Sequence, residues 1–249
     1  MARTAEIERT DPEAASAPKR VRGELQNRVF EQLRRGLMAG AFVPGQVMSL
    51  RKLATAFGTS PMPIREALTR LVVANALEET ANGSVCVPRL TPERLSALFS
   101  VRELLEGAAG EAACRRCTPE LIAALGAIND ELLAAIAKRN LLGCLSNNQR
   151  FHFLLYEAAG SDVLMPLIES LWLQFGPTMY LSLLSPEMPW DASAHFVILE
   201  GLRTGKPAVT KRGVLTDIRN TGRSLVPTMA SRAAVGLLAP GLDDLYFGS

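Results

Sequence analysis

The sequence predicts a mainly α-helical protein, in which a small winged helix-turn-helix precedes an antiparallel bundle of six or seven helices. Two short helical segments lie near the N-terminus on either side of Gly58, and an Asn-Gly hairpin follows them. Beyond about residue 91, helical periodicity recurs and no convincing strand is present. The predicted division is a disordered arm over 1–20, the winged module over 21–89, the helical domain over 91–230 and a tail over 231–249.

The composition of the 249-residue chain excludes several classes of protein. No apolar run approaches the roughly 18 residues of a membrane span, and the first twenty residues lack the apolar core of a secretory signal. Four cysteines without a regular framework indicate a reducing cytoplasm. Residues 21–90 hold nine Lys or Arg against five Asp or Glu, whereas residues 91–230 hold thirteen against fourteen. The basic N-terminal segment fits a nucleic-acid-binding module.

Three helices are predicted in this module, over 21–39, 50–57 and 61–74. Apolar residues at four-residue spacing indicate the first helix, which ends before the turn formed by Pro44 and Gly45. Gly58 terminates the second helix. The third is predicted to begin with Ser60 as its N-cap and Pro61 at its first position.

A hairpin is predicted after the third helix, because Asn82-Gly83 separates two short segments typical of strands, 77–80 and 84–87. Three helices and a hairpin make a winged helix-turn-helix, whose second motif helix enters the major groove of DNA. Arg65 is long enough to reach guanine, and Arg51 and Lys52 are placed for phosphate contacts. The predicted DNA-binding residues are Arg51, Lys52, Ser60, Met62, Arg65, Arg70, Asn82 and Gly83. The alternative is that they are solvated residues of a purely structural three-helix unit.

Six further helices are predicted after Pro92, and they form the antiparallel bundle. The separators include Thr118-Pro119, Gly160, the stretch "SPEMPW" and Gly205. The predicted ranges are 92–116, 119–139, 141–159, 161–184, 191–204 and 206–230.

Residues 25–88 resemble the GntR family of bacterial winged-helix regulators. The resemblance rests on the entry "LMAGAFVPG", on "S..P.REAL.RL" beginning at Ser60, and on "NG..V" in the wing. It implies a cytoplasmic homodimer that binds double-stranded DNA at a pseudo-palindromic operator, usually as a repressor. The chain has Ser60-Pro61-Met62-Pro63 where the family usually has Ser-Arg-Thr-Pro, so one usual DNA-reading arginine is missing and the operator sequence cannot be carried over.

Residues 91–225 look like the FCD ligand-sensing domain that accompanies one branch of this family. The matching stretches are "VRELLEGAAGEAA", "FHFLLYEAAGSDVL" and "HFVILEGL". Many FCD domains bind Zn²⁺ or a similar divalent cation through one Asp and three His. Position by position, the resemblance carries this metal site onto Asn148, His152, His195 and Asp217, so two of the four ligand types differ.

The resemblance leaves two forms of effector site open. In one, a divalent cation held by these residues receives an anionic effector. In the other, a metal-free polar pocket binds a small carboxylate directly through Arg102, Asn148, His152, His195 and Asp217. In both, the first bundle helix, which starts directly after the wing, is the expected route to the DNA-binding module.

Two other functions compete with a ligand-responsive regulator. A DNA-binding regulator without an effector would use the bundle for dimerisation alone. A non-haem iron enzyme would use His152, His195 and Asp217 as a set of two histidines and one carboxylate. Because a winged helix has no role in such an enzyme, and no nucleophile or phosphate-loop motif is present, the sequence indicates a protein that is not an enzyme.

Overall fold

Three helices and a two-stranded hairpin form the N-terminal part of the chain, as the sequence predicts. A computed structural model describes residues 19–182 and 191–230. The elements are α1 (Lys19–Met38), α2 (Leu50–Ala56), α3 (Pro61–Val73), β1 (Glu78–Glu79) and β2 (Val85–Cys86). α1 begins two residues earlier than predicted. The rest of the predicted arm, and the whole predicted tail, lie outside the described residues.

Helices also make up the remainder of the described chain, which confirms the mainly α-helical fold. They are α4 (Pro92–Arg115), α5 (Pro119–Ala137), α6 (Leu141–Glu157), α7 (Leu164–Phe175), a 3₁₀ turn (Gly176–Thr178), α8 (Met179–Ser182), α9 (Ser193–Arg203) and α10 (Pro207–Ala230). None of the helices in the described ranges is long and apolar enough to cross a membrane.

One apolar stripe holds α3 in the N-terminal module. Ile64, Leu68 and Leu71 recur at the spacing of one helix face and are buried. They share a core with Leu33 and Leu37 of α1, against which α3 packs. Burial of this stripe leaves the opposite side of α3 in solvent.

The turn of the helix-turn-helix confirms Ser60 as the N-cap residue of α3. Gly58 ends α2 with φ of +59°, a left-handed conformation that favours glycine. Ser60 occupies the N-cap position of α3, but its side chain makes no capping hydrogen bond. The start of α3 depends instead on Pro61, whose fixed φ suits a first helical position.

The strands of the wing are shorter than predicted, and both backbone and side-chain hydrogen bonds close its turn: the amide of Thr80 donates to the carbonyl of Ser84 at 2.8 Å. Its strands have two residues each, and Val47 adds an isolated bridge to Cys86. At the tip, the hydroxyl of Thr80 donates to the carbonyl of Ser84 at 2.9 Å, and the amide of Ser84 donates to the side-chain oxygen of Asn82 at 3.2 Å. These bonds fix the predicted hairpin.

The predicted helix over 161–184 is wrong in its extent. α7 begins only at Leu164 and ends at Phe175, and a 3₁₀ turn precedes α8. Pro177 has no amide to continue the helix. Gly176 lies against the end of α1, where a Cβ atom would come within 2.5 Å of the carbonyl oxygen of Leu37. The chain therefore breaks where α7 meets the N-terminal module.

Close helix packing brings α9 and α10 together beside the candidate site. A Cβ atom at Gly213 of α10 would lie 2.7 Å from a side-chain carbon of Ile198 and 2.8 Å from its backbone nitrogen. Glycine therefore allows the two helices to approach here. Because Asp217 lies one turn further along α10, this approach places its carboxylate next to α9.

We expect the core stripe of α3 to stabilise the N-terminal module strongly. Leu71 is 0% exposed, so Leu71→Ala should lower the free energy of unfolding by about 2–5 kcal/mol, as transfer and cavity terms add. Val73 of the same helix is 78% exposed, and Val73→Ala should change it by less than about 0.5 kcal/mol. Chemical denaturation followed by circular dichroism measures both, and equal effects would contradict the packing of α3.

Candidate metal centre and nucleic-acid interface

Most residues predicted to contact DNA are exposed. Arg51 and Lys52 lie in the first turn of α2, and Met62 and Arg65 in the first turns of α3. Ser60 and the wing residues Asn82 and Gly83 are exposed as well. The first turns of α3 are the part of a reading helix that meets base edges in the major groove.

Arg70 is exposed, but its side chain also contacts two residues of the protein. Its Nη1 donates to the side-chain oxygen of Asn27 at 3.0 Å, and its guanidinium carbon lies 3.7 Å from the centre of the Phe30 ring. Both partners belong to α1. Arg70 therefore joins α3 to α1, and its contact with DNA stays a prediction.

Three of the four predicted metal ligands converge in the helical domain. His152 of α6, His195 of α9 and Asp217 of α10 offer ligand atoms that all lie within 4.8 Å of one another. The Nε2 atom of His152 is 3.3 Å from that of His195 and 3.0 Å from an oxygen of Asp217. Both histidines are buried, whereas the side chain of Asp217 is 22% exposed.

The fourth predicted ligand borders the same space. Asn148 is buried one turn before His152 on α6, and it lines a cavity of about 30 Å³ together with His195 and Asp217. A water molecule needs about 10–15 Å³ of such volume. The cavity therefore has room for about two groups the size of a water molecule beside Asn148, His195 and Asp217.

Hydrogen bonds assign the tautomer of His152. The hydroxyl of Tyr156 lies 2.7 Å from a carboxylate oxygen of Glu106, to which it donates its proton. The same hydroxyl oxygen is 3.0 Å from Nδ1 of His152, so it accepts from Nδ1–H there. In a neutral imidazole this leaves Nε2 with a lone pair.

His195 is arranged in the same way. Its Nδ1 lies 3.0 Å from the side-chain oxygen of Asn129, which accepts the Nδ1–H and leaves Nε2 with a lone pair. Its ring stacks on Phe151 at 3.9 Å with an interplanar angle of 5°, which fixes the ring orientation. Partners of this kind, which hold the far nitrogen of a histidine, are typical of metal-ligating imidazoles.

With both imidazoles neutral in these tautomers, the three facing atoms are acceptors, and a positive charge among them, either a proton that pairs His152 with Asp217 or a metal ion, would stabilise the arrangement. Two nitrogen lone pairs and a carboxylate oxygen repel one another unless a proton or a metal ion lies between them. Ligands about 2.0–2.1 Å from a tetrahedral zinc ion are about 3.3 Å apart, and the two separations made by Nε2 of His152, 3.3 and 3.0 Å, are close to that value. The donor set of two imidazoles and one carboxylate suits first-row divalent metals.

Electrostatics keep two of these ligands deprotonated. Burial, reinforced by His152, lowers the pKa of His195 to about 3, against an opposing effect of Asp217. Burial alone would raise the pKa of Asp217, but His152, His195 and Arg102 together bring it down to about 2. At neutral pH both groups are therefore in the form that coordinates a cation.

A second buried cluster surrounds Glu106, and the sequence did not predict it. Arg102 donates to both oxygens of Glu106, from Nε at 2.6 Å and from Nη2 at 3.1 Å. Trp172 Nε1 donates to the same carboxylate at 3.1 Å, as does Tyr156. The guanidinium of Arg102, predicted to bind the effector, is thus largely engaged by Glu106, although its buried Nη1 has no hydrogen-bond partner.

Comparison with known proteins shows the family of the chain. Residues 25–87 match the model of bacterial regulatory proteins of the gntR family, and residues 97–219 match that of the FCD domain. The HTH-type transcriptional regulator McbR of Escherichia coli K12 is 31% identical over 156 residues, which cover 63% of this chain and 71% of McbR. The chain belongs to the GntR family. It is a GntR-type transcriptional regulator with an FCD effector-binding domain.

Solved structures of GntR regulators share the fold. E. coli McbR/YncC superposes with a TM-score of 0.76 at 25% identity, over 83% of this chain and 99% of that one. A GntR-type putative transcriptional regulator from Rhodococcus sp. RHA1 has a TM-score of 0.64 at 20% identity, over 82% and 98% of the two chains. The GntR architecture of a winged helix-turn-helix and a helical FCD domain is therefore that of this protein.

The depressed pKa of His195 predicts acid sensitivity of the fold. In the unfolded chain a histidine titrates near 6.5, so below that pH the unfolded state binds more protons and stability falls as pH falls. Between pH 7 and pH 5 the loss attributable to His195 should be about 2 kcal/mol. His195→Gln should remove that part of the slope in chemical denaturation with chelator present. An unchanged slope would show that His195 titrates normally in the folded protein.

Proposed function

We propose that this GntR regulator is a repressor whose operator affinity depends on a divalent cation, and on a small carboxylate, bound in its helical domain. The convergence of two imidazole Nε2 lone pairs and a carboxylate oxygen carries this proposal, since such a set favours a cation. His152, His195 and Asp217 would hold the ion, with Asn148 beside the remaining position. The bound ion would supply a positive charge that attracts an anionic effector.

The charges around the cavity also support a site in which a bound cation attracts the anionic effector. Arg102 and Glu106 form a buried ion pair, so the carboxylate of Asp217, whose ion-pair partner is His152, is the acidic group that faces the cavity. Without a bound cation this carboxylate would repel an anionic effector, and with one the site would carry net positive charge. Because about 30 Å³ admits no organic acid, the carboxylate would have to enter on the side where Asp217 is exposed, as the cavity opens.

The alternative function suggested by the same three ligands is that of a non-haem iron enzyme. The winged helix-turn-helix that precedes the site has a use in a regulator and none in that chemistry. We therefore propose a sensing site without a catalytic role.

We further propose that the protein acts as a cytoplasmic homodimer on a pseudo-palindromic operator, since a two-fold protein matches two half-sites. An exposed apolar strip on α4 supports self-association, because apolar strips at this spacing are typical of helix–helix interfaces. Its members are Ala97, Val101, Leu104 and Ala108, of which Leu104 is 72% exposed.

Two substitutions in the helix-turn-helix should affect DNA binding differently. Arg65→Ala should weaken operator binding by about 1–3 kcal/mol and relax base preference, since it removes a contact to a base edge. Lys52→Ala should weaken binding to all DNA sequences alike, since it removes a phosphate contact. It should also reduce the slope of log affinity against log salt concentration by about one. Fluorescence anisotropy with fragments from the neighbourhood of its own gene measures both. Unchanged operator affinity in Arg65→Ala would refute the assignment of the reading helix.

Cation binding should depend on the three converging ligands. We expect Zn²⁺ to raise the Tm of protein purified without a metal-affinity resin, and a small carboxylate added afterwards to raise it further. Asp217→Asn should weaken the affinity for Zn²⁺, measured by calorimetry, at least about 100-fold. Even the loss of a residue that only hydrogen-bonds to a metal ligand costs 10–100-fold in metal affinity. Asp162→Asn, which alters an exposed carboxylate of the same domain, is the matched control. Equal Zn²⁺ affinity in the two variants would contradict the site.

A further inference from the structure

α7 lies between the candidate metal centre and α1 of the DNA-binding module: the ring of Trp172 lies 5.9 Å from that of His152, and Glu169 pairs with Arg34 of α1. We propose that α7 transmits the state of the metal centre to the DNA-binding module, with the ion pair between Glu169 and Arg34 as its contact with α1. This inference rests on the proposed function and names the element through which that site acts.

On one side, a continuous chain of hydrogen bonds links α7 to His152. Trp172 of α7 donates to Glu106 at 3.1 Å, Glu106 accepts from Tyr156 at 2.7 Å, and Tyr156 accepts from Nδ1 of His152 at 3.0 Å. A cation on Nε2 withdraws electron density from the imidazole and makes its Nδ1–H a stronger donor. Bonds in such a chain polarise one another, so the change reaches the acceptor of Trp172.

The same end of α7 also packs on the guanidinium that neutralises Glu106. The ring of Phe175 lies 3.8 Å from the guanidinium carbon of Arg102, and the ring of Trp172 lies 5.0 Å from it. Any shift of the pair formed by Arg102 and Glu106 therefore moves the surface on which α7 rests.

On the other side, α7 and the turn after it pack on α1. Nη1 of Arg34 lies 2.7 Å from a carboxylate oxygen of Glu169, and both side chains are mostly shielded from solvent. At Gly176 the contact is backbone to backbone, since a Cβ atom there would come 2.8 Å from Cα of Met38. These contacts leave little room for α7 to move without α1.

A single short helix thus carries both sets of contacts. Glu169 and Trp172 are three residues apart, about 4.5 Å along the helix axis, so they move as one body. α1 in turn packs on α3, and Arg70 of α3 holds Asn27 and Phe30 of α1. A displacement of α7 therefore reaches the reading helix through two packed neighbours.

The route through α4, which the sequence suggests, joins the same element. Nη2 of Arg94, in the first turn of α4, donates to the side-chain oxygen of Gln174 of α7 at 2.8 Å. The contact between Glu169 and Arg34 bypasses α4, because it joins α7 to α1 directly. Removal of this ion pair therefore weakens the direct route between α7 and α1 and leaves the route through α4 intact.

The test is a comparison of DNA affinity with and without Zn²⁺ in Glu169→Gln. In the wild type, Zn²⁺ should change the Kd for the DNA fragment by about fivefold or more, as is typical of coupled sites. In Glu169→Gln this response should fall below about twofold. The Kd for Zn²⁺ and the metal-free Kd for DNA should stay within about threefold of the wild type, since a partly exposed ion pair contributes little to folding.

Two further variants make the outcome decisive. Glu131→Gln removes a surface ion pair with Arg150 in the same domain, and it should keep the full Zn²⁺ response. Trp172→Phe keeps an aromatic ring but loses the Nε1–H donor to Glu106, and it should lose the response while Zn²⁺ still binds. A full response in both Glu169→Gln and Trp172→Phe overturns the coupling role of α7 alone. A wild type that binds Zn²⁺ but shows no change in DNA affinity overturns the proposed function as well.

Discussion

One buried carboxylate determines the arrangement of the helical domain. Glu106 of α4 accepts hydrogen bonds from Arg102 of its own helix, from Tyr156 of α6 and from Trp172 of α7. Removing one partner from a buried ion pair costs about 3–5 kcal/mol, because the other charge is left uncompensated. The three helices are therefore held in one register by a group that has no contact with solvent.

That register determines the chemistry of the neighbouring cavity. Tyr156 can accept from His152 only because its own proton is directed to Glu106, so the structural network also chooses the tautomer of the metal-facing histidine. The same network occupies Arg102, the cation that would otherwise balance Asp217. Stability of the bundle and preference for a cation thus have a common origin.

Local signals in the sequence were sufficient for much of the fold, and long-range contacts account for what was missed. Pro61 favours the first position of a helix and Thr91 caps one, so the predicted starts of α3 and α4 agree with the structure. The break at Gly176 depends on the backbone of α1, which no local pattern reveals. Glu106 was missed because an Arg–Glu pair at four-residue spacing is also typical of solvated helix surfaces, and Asn129 because its partner is 66 residues away.

The protonation of the candidate metal ligands has a consequence for how the protein would behave in an acidified cell. Most imidazole sites release their ion as acidity increases, because protons compete for the same lone pairs. His195 and Asp217 take up protons only near pH 3 and pH 2. For these two ligands that competition is absent at any pH a living bacterium maintains inside. Retention of the ion by these two ligands would then follow the supply of the ion, whereas acid would act on the stability of the fold.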